Sequence, residues 1–333
     1  MLSGYLKKLA KRIPTPILVG SGALTVYGFA CLCKEIISGK LYFGNKNAEG
    51  KVIIVTGANT GIGKETAWEL ASRGAKVFMA CRDMNKCEKA REEIVMKTKN
   101  KYVYCRSCDL ASLESIREFV KTFKNEQDRL DVLINNAGVM RTPKGTKTKD
   151  GFEMQIGVNH LGHFLLTNLL LDRLRNSAPS RIINVSSVAH KRGKINKEDF
   201  NSDQEYDPGT AYAQSKLANV LFTNELAERL KDTGVTVNAV HPGIVDTAII
   251  RHMGFYNSWF ATILIKPFAW PFVKTPKYGA QTIIYLAVDP KVEKVTGKYF
   301  CDYEEAEVGE SAKDQDLAKW LWKVSEKWTR LTH

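Results

Sequence analysis

The sequence predicts a doubly wound α/β fold: a single domain built on a seven-stranded parallel sheet, preceded by an N-terminal membrane-anchor helix. Three observations carry that expectation. From Lys51 onward, short apolar β-type runs alternate with helical stretches, and such alternation calls for parallel strands joined by right-handed helical crossovers. A glycine-rich turn separates the first of these strands from the first helix. Residues 16–33 carry no charge over 18 positions, which meets the lower length limit for a membrane-spanning helix.

Residues 1–46 form the first segment. They hold Lys7, Lys8, Lys11, Arg12, Lys34, Lys40 and Lys46 against one acid, Glu35, and so account for nearly half of the chain's net charge of +13. The excess flanks an apolar run, which suits an anionic membrane surface. No zinc-finger spacing or other nucleic-acid motif is present, so no nucleic-acid partner is expected. A cleaved signal peptide and a mitochondrial targeting segment are the alternative readings of this region.

Residues 47–305 form the α/β domain. Its predicted strands are 52–56, 76–81, 102–107, 132–135, 181–186, 235–240 and 298–301. Helices are predicted near 62–73, 84–98, 112–127, 153–175, 210–231 and 277–288. Residues 253–273 interrupt the alternation with a run of aromatic and aliphatic side chains and one charge, Lys266. Pro267 and Pro271 argue against a single span there, and a lid over an apolar substrate is expected. Residues 306–333 form a C-terminal helix, with Leu317, Trp320, Leu321, Val324 and Trp328 at helical spacing.

Seven cysteines, an odd number at irregular spacing, argue against a disulfide framework and for a reducing compartment. Cys105 and Cys108 make a lone CxxC, and no metal site is expected. The sequon at Asn184 falls in a strand expected to be buried, so it is not read as glycosylated.

The motifs that carry chemistry come in a fixed order. Gly57, Asn59, Thr60, Gly61, Ile62 and Gly63 form the turn between first strand and first helix, where backbone N–H groups can approach a pyrophosphate. The second strand ends in Cys81, Arg82 and Asp83. An acid there would accept hydrogen bonds from a ribose 2′-hydroxyl, whereas an arginine favours a 2′-phosphate. Arg82 comes first after the strand, so NADP(H) is the expected cofactor. Asp109 and Leu110 close the third strand, and Asn136, Ala137 and Gly138 follow the fourth. Ser186 and Ser187 stand at the end of the fifth. Tyr212 and Lys216 stand four apart and so share one helical face. A nearby ammonium lowers a phenol's pKa towards operating pH, which suits proton exchange with an alcohol or carbonyl.

With TGANTGIG (56–63), NNAG (135–138), VNHLGHF (158–164), NVSS (184–187), YAQSK (212–216) and HPGIVDT (241–247) in this order, the chain resembles the short-chain dehydrogenase/reductase family over residues 48–302. The resemblance implies a Rossmann domain and a catalytic tetrad of Asn159, Ser187, Tyr212 and Lys216. Ser187 and Tyr212 would meet the substrate, and Asn159 would hold a water linking Lys216 to solvent. Pro242, Gly243, Val245 and Thr247 would cradle the nicotinamide, with Tyr212 and Lys216 also against the cofactor. Further segments, among them ACRDMNKCEKA (80–90) and SKLANVLFTNEL (215–226), resemble the retinol dehydrogenase subgroup. That likeness implies NADP(H), retinal or retinol as a lipophilic substrate, and a membrane anchor. The endoplasmic reticulum membrane facing the cytosol is the expected location, with a mitochondrial membrane as the alternative, and a homo-oligomer is compatible with the sequence. Two other functions compete: a carbonyl reductase for steroids or lipid aldehydes, and a non-enzymatic cofactor-binding scaffold. Loss of a tetrad member would favour the scaffold, and none is lost.

Overall fold

A computed structural model describes residues 39–44, 47–245 and 273–331, together with Thr25, Gly28, Cys31 and Lys34. The expected anchor over 16–33 falls largely outside these residues. The expected lid over 253–273 falls outside them save Val273, and Thr247 is outside as well. Among the described residues no helix is long and apolar enough to cross a membrane.

The chain alternates β1 (Val52–Thr56), α1 (Gly61–Ser72), β2 (Lys76–Cys81), α2 (Met84–Thr98), β3 (Val103–Ser107), α3 (Leu113–Glu126) and β4 (Val132–Asn135). There follow α4 (Met154–Ile156), a π-helical turn (Gly157–Leu161), α5 (Gly162–Leu169), α6 (Leu171–Asn176), β5 (Ser180–Val185) and a 3₁₀ turn (Val188–Arg192). The remainder is α7 (Pro208–Arg229), β6 (Val235–His241), α8 (Pro276–Gly279), α9 (Gln281–Val288), a 3₁₀ turn (Pro290–Val292), β7 (Lys298–Cys301), β8 (Glu304–Glu305), a 3₁₀ turn (Glu310–Lys313) and α10 (Gln315–Thr329). The strand order is β3-β2-β1-β4-β5-β6-β7-β8. It reverses between β1 and β4, the point at which open α/β sheets leave a crevice for ligands.

Helices cover both faces of the sheet, so its central strands are apolar on both sides. Ile53, Val55, Val77 and Met79 pack with Ala67, Leu70, Ile283 and Ile284 on one face. Ile54, Phe78 and Leu133 pack with Ile116, Phe119, Leu165 and Phe222 on the other. This is the period-two alternation of a strand, with neither side facing water. Helix α10 lies outside α7, burying Leu317, Leu321 and Trp322. The Trp322 ring meets Phe164 edge-on at 4.9 Å, and Arg229 lies 4.1 Å over its centroid.

Three sequence expectations need correction. The sheet has eight strands, not seven, and is not wholly parallel: β8 pairs antiparallel with β7. Asp302 and Tyr303, at φ 49° and 74°, reverse the chain in two residues. That conformation ordinarily signals itself through Asn-Gly or Asp-Gly, which Asp-Tyr does not resemble. The single helix expected over 153–175 is broken at its π-helical turn. Glycines bound that turn because the chain is crowded there: a Cβ on Gly162 would lie 2.7 Å from the Leu110 carbonyl, and one on Gly157 would lie 2.4 Å from Thr148 Cγ2. Finally, Cys87 and Cys105 are joined as a disulfide, their Cα atoms 6.0 Å apart. Helix α2 packs back on β3, so two cysteines distant in sequence face each other. Cys81 and Cys108 are free and buried. Asn184 and Ser186 are buried as well, in accord with discounting the sequon.

Candidate active site

The turn after β1 is shaped by what its residues lack. Gly57 and Gly61 take φ of 65° and 55°, a region open mainly to glycine. A Cβ on Gly63 would lie 2.3 Å from the Gly57 carbonyl and 2.5 Å from Asn136 Nδ2. No side chain caps α1, no acid stands in its first turn, and its first N–H groups therefore remain open to an anion. Asn59 is half-buried and Thr60 exposed, with Ile62 behind them.

A dense set of bonds fixes this turn to β4. Thr56 Oγ1 accepts the N–H groups of Asn136 and Ala137 at 2.9 and 3.0 Å. The Asn136 amide donates to the Thr56 carbonyl at 2.8 Å. Asn136 thus clamps the turn, and Ala137 packs beneath Gly57. Gly138 is half-buried beside them. Asp109 Oδ1 accepts the Ala111 N–H at 3.1 Å and so shapes the exit from β3, with Leu110 buried next to it.

At the end of β2 the two contested side chains separate. Asp83 is the N-cap of α2: it accepts the Lys86 N–H at 3.0 Å and pairs with the Lys86 ammonium. Those bonds, led by the backbone one, hold its carboxyl below the usual range. Arg82 is exposed and makes no ion pair among the described residues. An anion arriving there would meet an unengaged guanidinium.

The catalytic candidates sit on β5, α7 and the π-helical turn. Ser187 follows β5 in extended backbone, its Oγ accepting the Ala189 N–H at 3.2 Å, and it lines the same cleft as Tyr212, whose phenol it helps to pull down. Tyr212 and Lys216 lie one turn apart on α7, with the ammonium 5.7 Å from the phenol ring centroid. Lys216 Nζ donates to the Val185 carbonyl at 3.0 Å. Asn159 accepts the Val139 N–H at 2.8 Å and donates to the Val139 carbonyl and to Ser215 Oγ, both at 2.9 Å. All four tetrad candidates therefore come together.

One detail differs from expectation. Burial pushes the Tyr212 phenol up to about 12, against the nearby Ser187 hydroxyl and the Arg192 charge, which pull it down. Lys216 is itself brought down to about 8 by burial. Removing both groups from water disfavours both charged forms, which the sequence pairing of a phenol and an ammonium does not convey. Asn159, in turn, commits its side-chain amide to Val139 and Ser215. Its carbonyl instead receives His163 Nδ1 at 3.1 Å.

Sequence reasoning missed three buried histidines around this centre. His163 Nδ1 faces a carbonyl, so it carries the proton, and Nε2 accepts from Thr56 Oγ1 at 2.9 Å. His163 thereby links the Asn159 backbone to the glycine-rich turn. His160 meets Ser325 of α10 at 2.8 Å, and His190 meets the Ser187 carbonyl at 2.7 Å. Burial holds His160 down near 3 and His163 near 4. The only sequence signal was their presence inside or next to recognised motifs.

A cleft of 520 Å³ opens on Ser187 and Tyr212, lined also by Met140, Arg141, Val188, Ala189, Lys191, Arg192 and Gly209. Larger grooves lie away from these residues. Just past the carboxyl end of β6, Gly243 takes φ 87° and packs on the Lys274 stem. Pro242 is half-buried, and Val245 is buried and bridged to Lys274. His241 keeps a buried Nδ1 with no partner among the described residues. Glycines with no room for a Cβ, an uncapped helix N-terminus and an unengaged Arg82 fit a phosphate-bearing dinucleotide lying from β2 to β6. Among the described residues no cluster of side chains suits a metal.

Residues 51–254 match the model of the family described as short chain dehydrogenase. Human retinol dehydrogenase 13 is 52% identical over 302 residues, covering 90% of this chain and 91% of that protein. Human retinol dehydrogenase 12 is 50% identical over 314 residues, covering 93% and 97%. Among solved structures, an uncharacterized protein of Mycobacterium paratuberculosis superposes with a TM-score of 0.70 at 37% identity, covering 88% of this chain and 98% of its own. The NADP active-site complex of Pseudomonas aeruginosa RhlG gives 0.62 at 26% identity, covering 76% and 95%.

Proposed function

Because the chain belongs to the short-chain dehydrogenase family and is an oxidoreductase of its retinol dehydrogenase subgroup, we propose that it reduces retinal, or a closely similar lipophilic aldehyde, with NADPH, and oxidises the alcohol in reverse. The observation that carries this reading is Tyr212. It is a phenol kept protonated by burial in an open cleft that Ser187 also lines. A protonated acid is the form that carbonyl reduction requires.

The bound nicotinamide would supply hydride to the carbonyl carbon. The chain does the rest. Ser187 donates a hydrogen bond to the carbonyl oxygen, and Tyr212 gives its proton to that oxygen. Arg192, whose charge already lowers the phenol, stabilises the resulting phenolate. Lys216 would hold the nicotinamide ribose, and its softened ammonium returns a proton to Tyr212. Asn159 fixes the π-helical turn against Val139, so that Tyr212 and Lys216 face a rigid wall. Arg82 would pair with a 2′-phosphate, while Asp83 is occupied as a helix cap, which supports NADP(H) over NAD(H).

The purified protein, offered retinal, long-chain aldehydes, steroid ketones and short polar aldehydes with each dinucleotide, tests the reading. Higher kcat/KM for retinal and long-chain aldehydes with NADPH is expected. A preference for short polar aldehydes, or for NADH, contradicts it.

We also propose that residues 16–33 anchor the enzyme and that residues 253–273 form a lid at the lipid surface. The basic residues on both sides of an uncharged stretch support this. The endoplasmic reticulum membrane facing the cytosol is the favoured site, with a mitochondrial membrane next. Pairing of Cys87 with Cys105 weakens the argument from unpaired thiols, so the favoured side now rests on NADP(H) chemistry and on the free Cys81 and Cys108. Release by alkaline carbonate would refute the anchor, and protease protection on intact organelles decides the side.

A further inference from the structure

We propose that His190 is a positioning residue whose Nδ1–H holds the Ser187 backbone in place, with the Gly309 N–H of the C-terminal segment keeping the ring proton on Nδ1. The inference rests on the reading of Ser187 as the donor to the substrate oxygen.

The geometry begins at the Ser187 carbonyl. It accepts the His190 backbone N–H at 3.1 Å and meets His190 Nδ1 at 2.7 Å. A carbonyl can only accept, so Nδ1 carries the ring proton. On the other side of the ring, the Gly309 N–H meets Nε2 at 3.2 Å. A backbone N–H can only donate, so Nε2 is bare. The two bonds agree on one neutral tautomer, and each nitrogen is satisfied only in that form. The ring is fully buried and lies 4.6 Å from the Tyr299 ring centroid.

The partner segment is held close. A Cβ on Gly309 would lie 2.8 Å from Lys191 Cα, so only glycine lets the segment lie directly on the turn that follows Ser187. Beyond Gly309, Ala312 is buried and its carbonyl accepts the Asn224 amide of α7 at 2.9 Å. Ser187 is therefore gripped from two directions. Its Oγ faces Tyr212, and its carbonyl is fixed through His190 to a segment that itself docks on the helix bearing Tyr212. The Nδ1–H bond to the Ser187 carbonyl keeps serine and tyrosine at their separation, and the Gly309 N–H keeps that proton on Nδ1. A loose carbonyl would let the serine rotate about its own backbone, and a misplacement of about 1 Å costs on the order of a hundredfold in rate.

Two substitutions divide the bridge. In His190→Asn the amide nitrogen can occupy the Nδ1 position and donate to the Ser187 carbonyl, but it cannot reach Gly309. In His190→Gln the longer side chain can accept from Gly309 but abandons the Ser187 carbonyl. Both remove the same ring from the core, so both should lower thermal stability alike. The inference expects His190→Gln to lose kcat by about ten- to a hundredfold with KM for NADPH unchanged, and His190→Asn to keep kcat within about threefold of wild type. Equal kcat for the two folded variants, whether both normal or both reduced, overturns it. Ser187→Ala is measured in parallel. If it retains normal kcat, the reading of the serine fails and takes the inference with it. If it loses kcat while the two His190 variants match each other, the inference alone falls.

Discussion

The two halves of the site are built from opposite materials. Around β1, β2 and the turn after β4, the binding surface is backbone. Gly57, Gly61 and Gly63 work by lacking side chains, and Thr56 and Asn136 bond to main-chain atoms. Around β5, α5 and α7, the site is buried polar side chains: Asn159, His160, His163, His190 and Lys216 are almost wholly withdrawn from water. The first half has room only for one backbone shape. The second half depends on each polar atom finding a partner in an interior where an unpaired one is costly. His163 stitches the halves together, bonded to Asn159 on one side and Thr56 on the other. The contrast predicts that substitutions in the first half act on dinucleotide affinity, and those in the second, Lys216 at the nicotinamide ribose apart, on kcat or on pH dependence.

The largest expected effect is Tyr212→Phe, which keeps the buried ring and removes the proton. Turnover should fall by about 10²–10⁴-fold, while NADPH affinity, read by quenching of tryptophan fluorescence, stays within error. A parallel loss of affinity would show that the halves are not separable.

Next in size is acid destabilisation. His160 and His163 are held near 3 and 4 by burial, whereas an unfolded imidazole titrates near 6.5. Between those values the unfolded chain binds protons that the folded chain refuses, so stability is lost as pH falls below about 6.5. Each group contributes up to about 1.4 kcal/mol per pH unit. The urea midpoint of the cofactor-free protein should therefore drop between pH 7 and pH 5, and an unchanged midpoint would remove the polar-interior half of the comparison.

In the backbone half, Gly63→Ala adds a methyl where 2.3 Å separates it from a carbonyl. Overpacking of this kind costs about 1–3 kcal/mol, so dinucleotide binding should weaken by roughly ten- to a hundredfold for NADPH and NADH alike. Arg82→Ala should give a loss of similar size for NADPH only, since a hydrogen bond to a charged group contributes about 1.5–3 kcal/mol. Isothermal titration with both cofactors separates the two outcomes. The smallest effect belongs to Asp83→Ala, which removes a helix cap and about 1 kcal/mol of stability without changing the NADPH-to-NADH ratio. A changed ratio would restore Asp83 as a ribose ligand.

The same contrast explains what the sequence disclosed. Glycines at fixed spacing are legible because no other residue fits, so their spacing alone marks the turn at 57–63. Strand alternation likewise places seven strands and Ser187 at the end of one of them, and the spacing of Tyr212 and Lys216 puts both on one helical face. The contributions of His160, His163 and His190 were hidden because each depends on a partner far off in the chain, Ser325 for His160 and Gly309 for His190. The pairing of β8 was hidden because Asp302 and Tyr303 turn the chain without the usual turn residues. The Cys87–Cys105 link was hidden because spacing alone does not place a helix over a strand. For Asp83, a motif that suits either a cap or a ribose contact was resolved only by the Lys86 N–H that it accepts.

The central claim is direct hydride transfer to a lipophilic carbonyl with Tyr212 as proton donor. NADPH carrying deuterium at both C4 positions, mixed with enzyme and a long-chain aldehyde in a single turnover, tests it in one measurement. The account predicts deuterium on the carbinol carbon of the alcohol product in the wild type. It also predicts a rate at least about a hundredfold slower in Tyr212→Phe. Alcohol without the label, or a labelled product formed at the normal rate by Tyr212→Phe, would contradict it.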